Sequence, residues 1–510
     1  MKSYSVVLLS AFALSACSES RSPAPVAQAP TQELGNFLQD FYRDSREAMN
    51  RVPTKRDQQG RVITETESPF GDAAIRSGDY LATRDQVRTK ISRRFSQSRP
   101  FEIQSAPATN DRVENLVELP TIMRSLREME ENQLTTQELK RRPWSDSYWP
   151  MNRGMTGVRY ADPSFPASND WSRNFEYISR FPAQRMLAEG HEDNLAPSEK
   201  YDFLMGDTDF TLTQGSWSSA KDREKVEIWP GICDGWSASA IFDDEPVRTI
   251  AFKTDDGRKL RFFPSDIKGL SSLLWAKGNY LTKFLGARCT IKNPPTDEVG
   301  RTIAPECLDS NPGTWHLAVV NQLGVAKRSL IIDATYDYEI WNYPVWKYEY
   351  SYFNPQTLQT YDHWRDAVVP YDRFKIDKFR KYRSPQTKYV AGISMVVSYM
   401  VENMPSHREG SLSTSKSVHY IYDLELDSNL SIVGGEWYVN RHPDFIWVPQ
   451  VGARAVSSED GTLGDPAEWS GDGLPPSKWT QASRNAAQKL QPLAAVVNRL
   501  IQLSHAEPKP

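Results

Sequence analysis

Three residues carry the chemistry this sequence offers: Cys233, His316 and Asp333. Cys233 follows the Pro230-Gly231 turn and opens the small-residue run Ser237-Ala238-Ser239-Ala240. Pro and Gly break whatever precedes them, so a helix is predicted to begin at the cysteine. A thiol in a first helical turn meets unpaired N–H groups and the positive end of the macrodipole, and both favour the nucleophilic thiolate. A lone cysteine among small residues also suits plain core packing, so the motif needs partners. His316 lies in Asn311-Pro312-Gly313-Thr314-Trp315-His316-Leu317-Ala318-Val319-Val320, and Asp333 closes Ser329-Leu330-Ile331-Ile332. These apolar runs read as two antiparallel strands turning near Gly324. His316 would begin one and Asp333 end the other, which places imidazole beside carboxylate. Cysteine, histidine and aspartate are the parts of an activated-thiol acyl transferase. The thiol attacks a carbonyl, the imidazole takes its proton, and the carboxylate fixes the imidazole tautomer. The Cys233 N–H would supply one oxyanion donor, with Gln214, Trp217 and Trp229 as candidates for the second.

Several elements must position these groups. From Pro143 onward Trp144, Tyr148, Trp149, Trp171, Phe175, Tyr177 and Phe181 mark the start of a dense core. Leu195–Gly206 reads as a helix begun by Pro197 and stopped by Gly206. Val247–Lys253 and Leu260–Phe263 flank a turn at Asp255-Asp256-Gly257, and Asp266–Gly278 reads as a helix. Strands are expected at Tyr389–Val401, Val418–Leu426 and Leu430–Val439, and one terminal helix at Trp479–Leu503. Trp341–Trp346 reads as an aromatic-rich turn forming cleft wall or packing. Ahead of the core, Leu116, Leu119, Ile122, Met123, Leu126 and Met129 keep helical spacing along Asp111–Gln133, broken or restarted at Pro120. Arg51–Ser98 reads as a loosely packed helical region, either a pro-segment over the cleft or an accessory lobe. The expected organisation is a leader at 1–17, a tether at 18–35, a charged helical region at 36–144, the catalytic core at 145–455, and a loop with a C-terminal helix at 456–510.

The chain has 510 residues, too many for one ordinary core. With 61 basic and 65 acidic residues and a net charge of -4, nothing points to nucleic acid as a partner. Lys2 and the apolar run Val6–Leu14 form a targeting segment too short to span a bilayer. It ends in Leu14-Ser15-Ala16-Cys17, which resembles the lipobox of bacterial lipoproteins. Lipid on Cys17 would hold the body against a membrane, and Ser18 in place of an aspartate implies outer-membrane sorting. Of the 4 cysteines, Cys289 and Cys307 bracket a short loop-like segment. A Cys289–Cys307 disulfide there would contribute roughly 3 kcal/mol and leave Cys233 as the free thiol. His442 and Asp444, one residue apart, make a poor metal site.

The papain pattern fits the chain order but not the details. Glu227 stands where papain-type peptidases have a Gln, and no Asn-Ser-Trp occurs. Asp333-Ala334-Thr335 is closer to the Asp-Pro-Thr strand end of the transglutaminase superfamily. The stretches Ile232–Ala240, Asn311–His316 and Ile340-Trp341-Asn342-Tyr343-Pro344-Val345 together resemble the transglutaminase elicitor family of oomycetes and its bacterial relatives. The last is similar to that family's Val-Trp-Asn-Gln-Pro-Val surface peptide, with Tyr343 in place of Gln. The resemblance covers about 145–450 and implies an α+β fold with a papain-like, transglutaminase-like core, in which a Cys-bearing helix packs on an antiparallel sheet. It further implies a Cys233–His316–Asp333 triad and transfer of a glutamine carboxamide to a lysine or other primary amine on protein substrates. Oomycete members are calcium-dependent zymogens, so calcium is the cofactor the resemblance brings; Asp243, Asp244 and Glu245 read as a solvated helix end instead of a calcium loop. Two other readings stand beside it: a thiol peptidase or amidase with the same triad, and a non-catalytic envelope lipoprotein.

Overall fold

A computed structural model describes residues 31–63, 111–221, 223, 226–286, 291, 294–308, 310–334 and 340–506. The leader, Cys17, residues 18–30 of the tether, residues 64–98 of the expected pro-segment and Cys289 lie outside the described residues, while 31–35, expected as tether, are helical.

The first described segment is a helix, α1 (Thr31–Arg43), followed by two short strands, β1 (Lys55–Arg56) and β2 (Val62–Ile63). The helix buries Leu34, Leu38 and Phe41 against Phe353, Phe379 and Tyr438. β1 pairs with the edge of the main sheet, so residues 31–63 are integrated into the body. Along Asp111–Gln133 the helical spacing is realised only in part. A single 3-10 turn at Val113–Asn115 precedes Pro120, and regular helix resumes only at Leu126–Glu131. Pro120 lacks the N–H and carries the ring that would continue one helix through this stretch. A short strand, β3 (Thr136–Glu138), follows.

Helix α2 (Pro197–Leu204) starts at a proline, as its sequence predicts, and the chain then turns at Gly206 with φ 68°. Helix α3 (Cys233–Phe242) lies against helix α4 (Pro264–Lys277), with the hairpin β4 (Ile250–Lys253) and β5 (Lys259–Phe262) between them in sequence. Gly235 permits this closeness: a Cβ there would lie 2.1 Å from the Ser272 carbonyl.

The sheet is antiparallel and 12-stranded among the described residues. Its remaining strands are β6 (Thr282–Gly286), β7 (Ile331–Asp333), β8 (Asn342–Phe353), β9 (Thr360–Tyr361), β10 (Val369–Pro370), β11 (Tyr389–Met400), β12 (Ser415–Leu426), β13 (Ile432–Trp437) and β14 (Phe445–Pro449). The main path runs β2-β1-β12-β11-β8-β7-β14-β6. β8, β11 and β12 are 12 residues each and form its centre, with Tyr348, Tyr352, Val397, Val418 and Tyr420 buried between sheet and helices.

Three expectations change here. Pro312–Val319 is a helix, α5, not a strand, so the hairpin expected between His316 and Asp333 does not form. Asn311 explains this: its side chain accepts from Gly313 N at 2.8 Å while Pro312 occupies the first helical position, and the pair starts a helix in spite of the β-branched valines that follow. The expected aromatic turn at Trp341–Trp346 is instead the beginning of β8. The terminal helix is two, α6 (Thr480–Ala487) and α7 (Ala494–His505), separated where Pro492 cannot continue the first and Leu490 adopts φ 61°.

Candidate active site

The Pro-Gly turn that opens α3 is held by backbone alone. Ile232 N donates to the Tyr148 carbonyl at 2.8 Å and Met151 N donates to that of Pro230 at 2.8 Å. A side chain at Gly231 would overlap the Tyr148 carbonyl at 2.2 Å, so only glycine fits. On α3 itself, Ser237 Oγ donates to the Asn342 carbonyl at 2.6 Å and Trp236 Nε1 to the Trp144 carbonyl at 3.0 Å. These bonds fix the helix against the start of β8 and deliver Cys233 to that strand.

Cys233 is a free thiol, 6% exposed. Its Sγ donates to the Ile340 carbonyl at 3.6 Å and accepts from Asn342 Nδ2 at 3.6 Å. Trp447 Nε1 donates to Asn342 Oδ1 at 2.7 Å. Asp333 is the partner of Asn342 across β7 and β8, and directly opposed residues present their side chains on one face. Its Oδ1 accepts from Trp341 N at 3.1 Å. The structure therefore brings Cys233 and Asp333 into one neighbourhood, with Asn342 between them. Tyr148 and Trp341 have ring centroids 5.1 Å apart, Trp341 and Tyr343 stack at 6.4 Å, and Trp236 meets Tyr343 edge-on. Tyr343 donates to Glu402.

His316 is not brought there. It is buried on α5, where Nδ1 bonds the Tyr422 hydroxyl at 2.8 Å and the ring meets Tyr350 edge-on at 4.8 Å. Its Nε2 has no partner among the described residues. Asn342 opens β8 and Tyr350 lies eight residues along it, about 26 Å away at roughly 3.3 Å per residue. Among the described residues no imidazole bonds Cys233: His419 pairs with Ser394, His442 stacks on Trp437, His407 on Phe263, and His363 meets Glu130. Burial pushes the His316 pKa down to about 3, so it is neutral in the core.

The electrostatics of the thiol also depart from the helix-terminus argument. Burial pushes the Cys233 pKa up to about 12, Asp234 and Glu402 add to the rise, and only the Asn342 bonds oppose it. Desolvation of the anion outweighs a helix end whose first turn carries its own carboxyl, Asp234. The N–H groups of the three candidates for a second oxyanion donor bond elsewhere. Gln214 donates to the Asp209 carbonyl, Trp217 to that of Gly157, and Trp229 to Glu227. Asn342 is a polar side chain of the site that the sequence does not single out; it lies inside Trp341–Trp346, expected as a turn forming cleft wall or packing.

Asp243, expected at a solvated helix end, is half-buried and accepts from Ser271 Oγ at 2.6 Å and Trp275 Nε1 at 2.7 Å, so it is already satisfied within the protein. Cys307 is buried in the turn Pro305–Cys307; its expected bridge partner Cys289 lies outside the described residues.

Among solved structures the chain is similar to the GP42 transglutaminase from Phytophthora sojae, with 19% identity over 64% of this chain and 86% of that one and a TM-score of 0.43. No curated protein matches it. The family model described as "Transglutaminase elicitor" matches residues 115–460. That span is more than half of the chain and contains α3, β7 and β8 with Cys233, Asp333 and Asn342, so the protein belongs to the transglutaminase elicitor family.

Proposed function

We propose that this protein is a protein-glutamine γ-glutamyltransferase with Cys233 as its nucleophile. The observation that carries the reading is a free thiol at the first residue of α3, held between the Ile340 carbonyl and the Asn342 amide in a chain of this family. Sγ attacks the carbonyl carbon of a glutamine carboxamide. The C–N bond breaks, ammonia leaves with the thiol proton, and a thioester forms. The nitrogen of a lysine or another primary amine then attacks the thioester, the C–S bond breaks, and the amine's proton returns to sulfur; water in place of the amine yields glutamate. Asp333 supplies the carboxylate of the site. His316, fixed in the core by Tyr422, is not assigned as the base. Calcium is not assigned to any residue. In this reading the chain is anchored in a bacterial envelope by lipid on Cys17 and carries a Cys289–Cys307 bridge, both beyond the described residues.

A second reading, a non-catalytic envelope lipoprotein, is favoured by one observation: the thiol is buried, protonated and without an imidazole. Incorporation of a fluorescent primary amine into a glutamine-rich protein decides between them. Transfer by the wild type and none by Cys233→Ala is expected. Equal labelling with both proteins, or none with either with and without calcium, sinks the transferase.

A further inference from the structure

We infer that Asn342 is a catalytic residue of the Cys233 site, its amide N–H donating to Sγ, and that Trp447 is the positioning residue that fixes which way the amide faces. The inference rests on the acyl-transfer reading for its chemical purpose, but not for its geometry.

The orientation of an asparagine amide is decided by its partners, because its O and N ends have nearly the same shape. Indole Nε1–H can only donate. Trp447 Nε1, 2.7 Å from the amide, must therefore face Oδ1, and this leaves the NH2 end toward Cys233 Sγ at 3.6 Å. Trp447 is fully buried in the middle of β14, paired to β6 on one side and to β7 on the other, so the indole has little freedom to release the amide. The Asn342 backbone is fixed as well. It pairs with Asp333, and its carbonyl accepts from Ser237 Oγ of the helix that carries the thiol. Strand, helix and indole thus hold one N–H on the sulfur.

The charged and titratable groups around that sulfur come from four elements: Asp234 on α3, Asp333 on β7, Tyr343 on β8 and Glu402 after β11. Asp234 and Glu402 disfavour a thiolate. Asn342 is the donor from a side chain that favours it, and a hydrogen bond to an ionised group is about twice as strong as one to a neutral group. In the acyl-transfer reading this N–H is also a candidate donor, with the Cys233 N–H, to the oxyanion that forms on the attacked carbonyl.

The test is the alkylation rate of Cys233 by iodoacetamide in the full chain at pH 8, read by mass spectrometry of its peptide. Asn342→Asp keeps the side-chain size but replaces the donor with a carboxylate; alkylation should slow roughly tenfold or more. Trp447→Phe keeps a ring and removes the N–H, so the amide can turn over; alkylation should slow about two- to fivefold. In an Asn342→Ala background Trp447→Phe should add nothing, because its effect passes through the amide. Wild-type alkylation by Asn342→Asp overturns the assignment of Asn342, and equal slowing by Trp447→Phe in both backgrounds overturns that of Trp447. The amine-incorporation assay on the same proteins separates the two claims. Slower alkylation with no incorporation even in wild type ends the transferase reading and leaves the Asn342 contact standing. Incorporation that needs Cys233, with unchanged alkylation in Asn342→Asp, does the reverse.

Discussion

Lys55 Nζ donates to the backbone carbonyl of Ala334 at 2.9 Å, next to Asp333, so the N-terminal strand β1 reaches the edge of the candidate site. The same segment carries α1, whose Phe41 stacks on Tyr438 with centroids 4.4 Å apart and meets Phe379 at 5.7 Å. Residues 31–63 are thus a structural part of the body as well as a neighbour of its chemistry.

Phe41→Ala should therefore cost about 3–5 kcal/mol, the range for a large aromatic removed from a packed core. Urea denaturation followed by tryptophan fluorescence measures this directly. A midpoint within error of wild type would mean that α1 is dispensable to the core and that 31–63 can be detached without loss.

The buried thiol predicts slow labelling. With the Cys233 pKa raised from 9.0 to about 12, the thiolate fraction near pH 8 falls by two orders of magnitude or more. Iodoacetamide should label the folded chain on the order of a hundredfold more slowly than the chain in concentrated urea. For stability the sign follows from a raised acid. The contribution of the protonated thiol is complete below pH 9 and is lost as pH rises from 9 toward 12. Equal labelling rates in folded and unfolded protein would contradict the burial.

His316 predicts acid sensitivity. Its pKa falls from 6.5 unfolded to about 3 folded through burial. The unfolded chain then binds a proton that the folded chain refuses, so stability is complete above pH 6.5 and lost as pH drops toward 3. His316→Gln should reduce the slope of stability against pH between 6 and 4 by about one proton, read from urea midpoints at several pH values. His419 and His442, each lowered to about 4 by burial, keep the remaining slope.

Asp146 acts in the opposite direction. Burial raises it from 3.8 to about 7, with Lys268 opposing, while Oδ2 accepts from Trp149 Nε1 at 2.6 Å and Ser272 at 3.2 Å. Its contribution is complete below pH 3.8 and lost as pH rises through 7. Asp146→Asn keeps an acceptor for Trp149 and should gain stability relative to wild type at pH 8 compared with pH 5, by thermal melts at the two values. A constant difference at both would show that the carboxyl does not titrate in this range.

Local punctuation was legible without the fold. Pro230-Gly231 ahead of α3, Pro197 and Gly206 around α2, and Gly257 in the β4–β5 turn act through a few neighbouring dihedrals, which composition alone exposes. The long strands β11 and β12 were equally plain, because their apolar and β-branched residues persist for many positions. Ambiguity began where a short apolar run suits either element. Leu317-Ala318-Val319-Val320 reads as a strand by side-chain type, and Asn311-Pro312 turns it into a helix by satisfying the first N–H groups.

Sequence by itself determined that Cys233 opens a helix after a Pro-Gly turn, that Asp333 ends a buried strand, and that the motifs resemble those of transglutaminase elicitors. Tertiary structure alone decided which groups meet. Asn342 and Trp447 are 105 residues apart and Asn342 and Cys233 are 109 apart, and only the β7–β8–β14 pairing and the packing of α3 bring them together. His316 was separated from the thiol by the same means: its helix packs on β12 and β13, and its ring meets Tyr350, eight residues along β8 from Asn342. Desolvation likewise depends on every layer around the sulfur, and no spacing of residues along the chain encodes it.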